Sequence, residues 1–194
     1  KGFFNCILLT QITIPKSVLY IGQSAFEGCI SLKVIEIPST VLKVDDFAFK
    51  KSLNLAKITI DPCCTLFKEN TFDQCDNLHN LNIKTENSSI EQKDLQYFQI
   101  FTKIKIKKCP HLQIIKDKAF TLCSKVRKII INSNVKIIGE KAFEGCMYLK
   151  KIVLPDSLVS IGKSSFRGCR ALKKIQIPPK IRSVRENVFL GCSS

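Results

Sequence analysis

Three residue types in this chain could carry chemistry: ten cysteines, two histidines, and a surplus of lysine and arginine that leaves a net charge of +15. Cys109-Pro110-His111 sets a thiol and an imidazole two positions apart, but no second ligand pair has zinc spacing. His79 stands alone in a polar strand segment and reads as a surface residue. Gly162-Lys163-Ser164 ends like a phosphate-binding loop, yet the pattern needs a glycine where Ser157 stands. There is no G-x-S-x-G and no distinctive carboxylate pair, and two histidines leave few groups for acid–base work. No catalytic residue, metal site or cofactor is therefore expected. The basic residues are more orderly. LKKI occurs at 149–152 and again at 172–175, with VRKI at 126–129 and FTKI at 101–104 as looser copies. Cations returning on a fixed beat are suited to binding anions.

Their distribution is uneven. Residues 1–97 hold 10 Lys+Arg against 11 Asp+Glu, whereas residues 98–194 hold 21 against 5. A lysine-rich composition alone would not remove the acids from one half. No apolar run approaches the roughly 18 residues of a membrane span.

The positioning elements follow from a repeat. Units begin at Ile21, Val44, Phe67, Ile90, Ile115, Ile138, Ile161 and Val184, every step being 23 residues except one of 25. The unit reads I-G-x-x-A-F-x-G-C-x-x-L-x-x-I-x-I-P-x-x-V-x-x. Phe3, Phe26, Phe49, Phe72, Phe120, Phe143, Phe166 and Phe189 share one column. A second column runs Cys6, Cys29, Ser52, Cys75, Phe98, Cys123, Cys146, Cys169 and Cys192. Recurring large apolar columns at this period mean coils that stack and bury the same side chain each time.

I-x-I is a short strand with both isoleucines inward. Pro15, Pro38, Pro155 and Pro178 end it, having no amide proton to donate. The AFxGC stretch reads as a helical or 3₁₀ turn. The segments Ile12–Ile14, Ile35–Ile37, Ile58–Ile60, Leu81–Ile83, Ile104–Ile106, Ile129–Ile131, Ile152–Leu154 and Ile175–Ile177 are expected to form one parallel sheet. The cysteine column is expected to hold buried free thiols, because stacked parallel Cβ vectors suit a disulfide poorly. Cys63, Cys64 and Cys109 lie outside that column.

These elements resemble the BspA-like class of leucine-rich repeats, whose unit carries the same L-x-x-I-x-I-P, I-G-x-x-A-F and Cys elements. The resemblance covers 3–192. It implies an α/β solenoid, a right-handed superhelix with one parallel concave sheet of about eight short strands, used for binding. It further implies a cell-surface or secreted protein, of the kind that attaches to host molecules or other cells in bacteria and parasitic protists. Residues 1–194 are read as a single repeat domain, a fragment of a longer protein lacking both caps. The coil at 90–114 is degenerate and holds the two-residue insertion.

Strand alternation then assigns the basic residues. The outward column before the first Ile ends in Lys103, Lys128, Lys151 and Lys174, and the rim column in Arg127, Lys150 and Lys173. The column between the isoleucines holds Lys105, Ile130 and Val153. These ten residues form the expected binding face. Like charges about 5 Å apart repel by roughly 0.8 kcal/mol even in water, so folding gives no reason for the row. With no aromatic residue in these columns to stack a base, nucleic acid is not the expected partner. A protein or acidic glycan is. A cytoplasmic scaffold for an acidic protein is the alternative that reduced thiols favour. The triplet Asn87-Ser88-Ser89 is a glycosylation acceptor if the protein is secreted. Sequence leaves the oligomeric state open.

Overall fold

The structure is a computed structural model that describes residues 2–61, 65–95, 97–121, 123–132 and 134–192. Cys63 and Cys64 lie outside the described residues. The chain divides into two compact units, Lys1–Asn82 and Ile83–Ser194.

In the first unit the strands are β1 (Tyr20–Ile21), β2 (Val34–Glu36), β3 (Lys43–Val44), β4 (Lys57–Ile60) and β5 (Leu66–Phe67), with β6 (Asn80–Ile83) at its end. In the second they are β7 (Ser89–Ile90), β8 (Lys103–Lys107), β9 (Ile114–Ile115), β10 (Lys128–Asn132), β11 (Ile137–Ile138), β12 (Lys151–Val153) and β13 (Ser160–Ile161). β1, β3 and β5 pair in parallel, as do β2 and β4. In the second unit β8, β10 and β12 make one parallel ladder and β7, β9, β11 and β13 another.

This corrects the expectation of an α/β solenoid with one parallel sheet. The strands fall into three separate parallel sheets. The sole helical element among the described residues is a 3₁₀ turn at Gln92–Leu95. Six of the eight I-x-I segments are strands; Ile12–Ile14 and Ile175–Ile177 are not. Those two occupy the outermost described coils, which have a neighbour on one side only. The unexpected sheets come from the Ile-Gly or Val end of each unit, where two residues pair with the same two of the next coil.

The AFxGC stretch is a chain of turns rather than a helix, and its amides explain why. Phe26 N donates to Ala48 O at 2.7 Å and Gly28 N to Lys50 O at 2.8 Å, both in the next coil. The amides between close turns at home: Glu27 N donates to Ser24 O and Cys29 N to Phe26 O. The second unit repeats the arrangement, with Phe143 N on Ser165 O and Gly145 N on Arg167 O. An amide that alternates between home and neighbour cannot sustain the unbroken ladder of a helix. Pairs of left-handed residues make the alternation possible in most coils, Ser24 (φ 56) with Gly28 (φ 74) and Lys141 (φ 55) with Gly145 (φ 74) among them. The glycine column serves the second of each of these two pairs.

Each coil drops its columns into the core. Both inward residues of β4, β8 and β10 are at most 1% exposed. The phenylalanine rings stack face to face, Phe120 on Phe143 at 4.8 Å and Phe143 on Phe166 at 5.2 Å between centroids. In the first unit Phe26 stacks on Phe49 at 5.2 Å. Such rings add offset-stacking energy to a large burial of apolar area.

Candidate functional site

The cysteine column is occupied by free thiols among the described residues. Its geometry also explains the residue type. Cys29 Sγ donates to Phe3 O at 3.2 Å, Cys169 Sγ to Phe143 O at 3.2 Å, and Cys75 Sγ to Phe49 O at 2.9 Å. Ser52 Oγ makes the same bond to Phe26 O at 2.9 Å. Where Cys or Ser stands, the position thus supplies a small side chain with a donor for a carbonyl of the preceding coil; in the degenerate coil Phe98 fills it by bulk. Burial pushes the thiols of Cys75 and Cys123 up to about 12 and raises those of Cys146 and Cys169 as well. A thiol held neutral in this way is a poor nucleophile.

The other chemical candidates resolve into scaffold. Cys109 turns into the core, its Sγ 3.6 Å from Ile83 O, while His111 is exposed and faces Glu86 at 3.7 Å. Among the described residues no group of three or more His, Cys, Asp or Glu is placed to hold a metal ion. A Cβ on Gly162 would meet Glu140 N at 2.5 Å, so its glycine answers to close coil packing.

The basic face keeps its register. Lys103, Lys128 and Lys151 lie directly beside one another on β8, β10 and β12. Two residues on, Lys105, Ile130 and Val153 form a parallel row. Lys151 and Val153 are exposed, and Lys103, Lys105, Lys128 and Ile130 half-buried, their stems covering the sheet. Arg127, Lys150 and Lys173 are exposed at the rim. There the backbone continues the stacking: Arg127 O accepts from Lys150 N at 2.9 Å. Lys174 is exposed but follows no strand, because Ile175–Ile177 makes no ladder.

Among the described residues none of these cations is ion-paired; the acids of this unit are spent elsewhere. Glu91 binds Lys116 at 2.5 Å and Lys93 at 3.4 Å, and the Lys116 ammonium holds its carboxyl below the usual range. Glu186 pairs with Lys163 at 2.9 Å and is lowered for the same reason. Glu140 and Glu144 pair with Lys141 and Arg167.

An open groove of about 1020 Å³ lies along the end of this face. Lys150, Lys151, Val153 and Lys174 line it, as do Asn134 and Asp156, which sequence reasoning missed. Asp156 follows the strand-ending Pro155 and stands outside the three columns that sequence reasoning weighed. No helix among the described residues is long and apolar enough to cross a membrane.

The chain is similar to a leucine-rich repeat protein from Bacteroides ovatus, with 24% identity over 98% of this chain and 72% of that one, at a TM-score of 0.35. It is similar to the leucine-rich repeat protein of T. pallidum, with 20% identity over 85% and 76% and a TM-score of 0.34. A leucine-rich repeat protein from Eubacterium ventriosum shares 20% identity over 94% of this chain and 58% of its own length, at a TM-score of 0.41. No curated protein matches. The model of the BspA type leucine-rich repeat region matches residues 1–109 and 95–194. With that match along its whole length, the chain belongs to the BspA-type leucine-rich-repeat family.

Proposed function

We propose that the protein recognises an acidic protein or glycan through the strand face of its second unit. The observation that carries this reading is the in-register row of Lys103, Lys128 and Lys151, none of which is ion-paired among the described residues, the unpaired Asp156 being the one acid that lines the adjoining groove. Stacked cations repel one another, and a bound anion removes that repulsion while gaining Coulomb energy with each lysine. Lys105, Arg127, Lys150, Lys173 and Lys174 extend the charge, and Ile130 and Val153 add apolar contact. Family membership supports a cell-surface or secreted setting, with attachment to other cells or to host molecules as the role.

The test compares two triple variants. Lys128, Lys151 and Lys174 are replaced by Gln in one. Lys16, Lys33 and Lys68, exposed residues of the first unit, are replaced in the other. Binding to immobilised heparin, a generic acidic polymer, is measured against salt concentration. The strand-face variant is expected to bind roughly tenfold or more weakly and with a shallower salt dependence. Equal binding by the two variants would sink the proposal.

A further inference from the structure

Resting on that reading, the geometry points to one class of partner: we infer that the strand face of the second unit accepts an acidic amphipathic helix lying across the strands. The argument is one of spacing. Lys103, Lys128 and Lys151 repeat once per strand, in direct register. Adjacent strands lie about 4.8 Å apart, so the three positions span about 9.6 Å. An α-helix presents residues i, i+3 and i+7 on one side over about 10.5 Å, within 1 Å of that length. An extended acidic strand would present i, i+2 and i+4 over about 13 Å and fall out of step by the third lysine. The beat of the face is therefore that of a helix.

A second row sets the helix's other stripe. Ile130 and Val153 sit side by side, two residues along their strands from Lys128 and Lys151. That places an apolar line about 6.6 Å from the cationic one. On a helix, residues shifted by one from the acidic stripe form a neighbouring stripe about 100° around, at a similar separation. The same row ends in Lys105 on β8, so a ligand with acids at i, i+1, i+3 and i+7, the second of them facing Lys105, and apolar residues at i+4 and i+8 engages both rows together. The open groove of about 1020 Å³ lies beyond this row, lined by Lys151, Val153 and Lys174 but not by Lys103, Lys128 or Ile130, so it would receive only one end of such a helix. Asp156 at one edge of the groove repels acids placed beyond the lysines, and so limits where the partner's charge can sit.

The whole chain is titrated into a labelled helical peptide of about 16 residues carrying that pattern, long enough to hold helix when Ala-rich. A scrambled peptide of equal composition and helicity, and heparin, are measured alongside by fluorescence anisotropy and competition. The patterned peptide is expected to bind roughly tenfold more tightly than the scrambled one. Replacing Ile130 and Val153 by Thr, which keeps the β-branched shape, should weaken the patterned peptide severalfold more than it weakens heparin. Thermal melts confirm that each variant is folded. If both peptides bind alike, or if the Thr changes are silent while the K128Q/K151Q/K174Q variant weakens everything, the helix is the wrong partner and the basic surface still stands. If the lysine variant changes nothing, both readings fall.

Discussion

In the first unit several outward polar groups of the strand face bond within the chain, Lys57 on β4 being an exception among the described residues. Asn80 Nδ2 donates to Ala56 O at 3.1 Å, and Asn82 Nδ2 to Thr59 Oγ1 at 3.2 Å, leaving Thr59 and Asn82 buried. In the second unit the equivalent positions carry Lys103, Lys128, Lys151, Ile130 and Val153, which have no such partners among the described residues. The backbone plan is the same in both, with the same inward columns and the same alternation of turn amides. What differs is whether outward side chains turn to their neighbours or to solvent. Outward positions are thus free of the folding requirement.

The largest test of this comparison asks whether the cores are equivalent. Phe49→Ala and Phe143→Ala each remove a fully buried ring from the stack and should each cost about 3–5 kcal/mol. Hydrogen exchange should show the loss concentrated in the unit that carries the change. Uniform loss across both would mean that the chain unfolds as one block.

Alkaline pH tests the thiol columns in the same way. The Cys75 and Cys123 pKa values are raised from 9.0 to about 12, so folding favours the protonated form. Their stabilisation is complete below pH 9, where the unfolded thiol is also protonated. It is lost progressively between pH 9 and 12, by up to about 1.4 kcal/mol per pH unit for each thiol. Melting temperature should fall across that window in wild type and fall less steeply in a Cys75→Ala/Cys123→Ala variant. Parallel curves would show that these thiols do not contribute.

A third test concerns a local imperfection. Ser165 occupies the column held by Ala25, Ala48, Ala119 and Ala142, and its buried hydroxyl has no hydrogen-bond partner among the described residues. Ser165→Ala should stabilise the protein by about 1 kcal/mol, seen as a higher midpoint in urea. A lower midpoint would mean that the hydroxyl is satisfied in solution.

The smallest effect separates the strand faces. Raising salt should stabilise the second unit, by less than about 1 kcal/mol, because it screens the lysine row. The first unit, with balanced charge, should hardly respond. K128Q/K151Q/K174Q should remove the difference, measurable as exchange protection of β10 and β12 at two salt concentrations.

Sequence showed the inward half of this structure well. The Phe, Cys and Ile columns repeat because each must fill the same volume, and the register of Lys128 with Lys151 follows from counting 23 residues. The two additional sheets were hidden for a physical reason. Their strands are two residues long, too short for alternation to be visible, and the outward residues Tyr20, Lys43 and Leu66 have nothing in common. The turn segments misled in a similar way. AFxGC has the composition of a helical turn, but its fate is decided by backbone amides that reach the next coil, and backbone leaves no mark on composition. On the strand face, the register of Lys103, Lys128 and Lys151 and of Lys105, Ile130 and Val153 matches the count. Sequence reasoning missed Asp156 because that residue reaches the groove from the loop that follows a strand.

The thiol-to-carbonyl bond has a consequence for heredity. Donor and acceptor lie 26 positions apart in Cys29–Phe3, Ser52–Phe26, Cys75–Phe49, Cys146–Phe120 and Cys169–Phe143 alike. Within a run of such coils, removing or duplicating one 23-residue unit hands each donor an equivalent acceptor. Unequal crossover between coding repeats can therefore lengthen or shorten the protein without leaving an orphaned bond at the junction. Each added coil brings one more outward position, so the same genetic event that changes the gene's length also changes the valence of its surface.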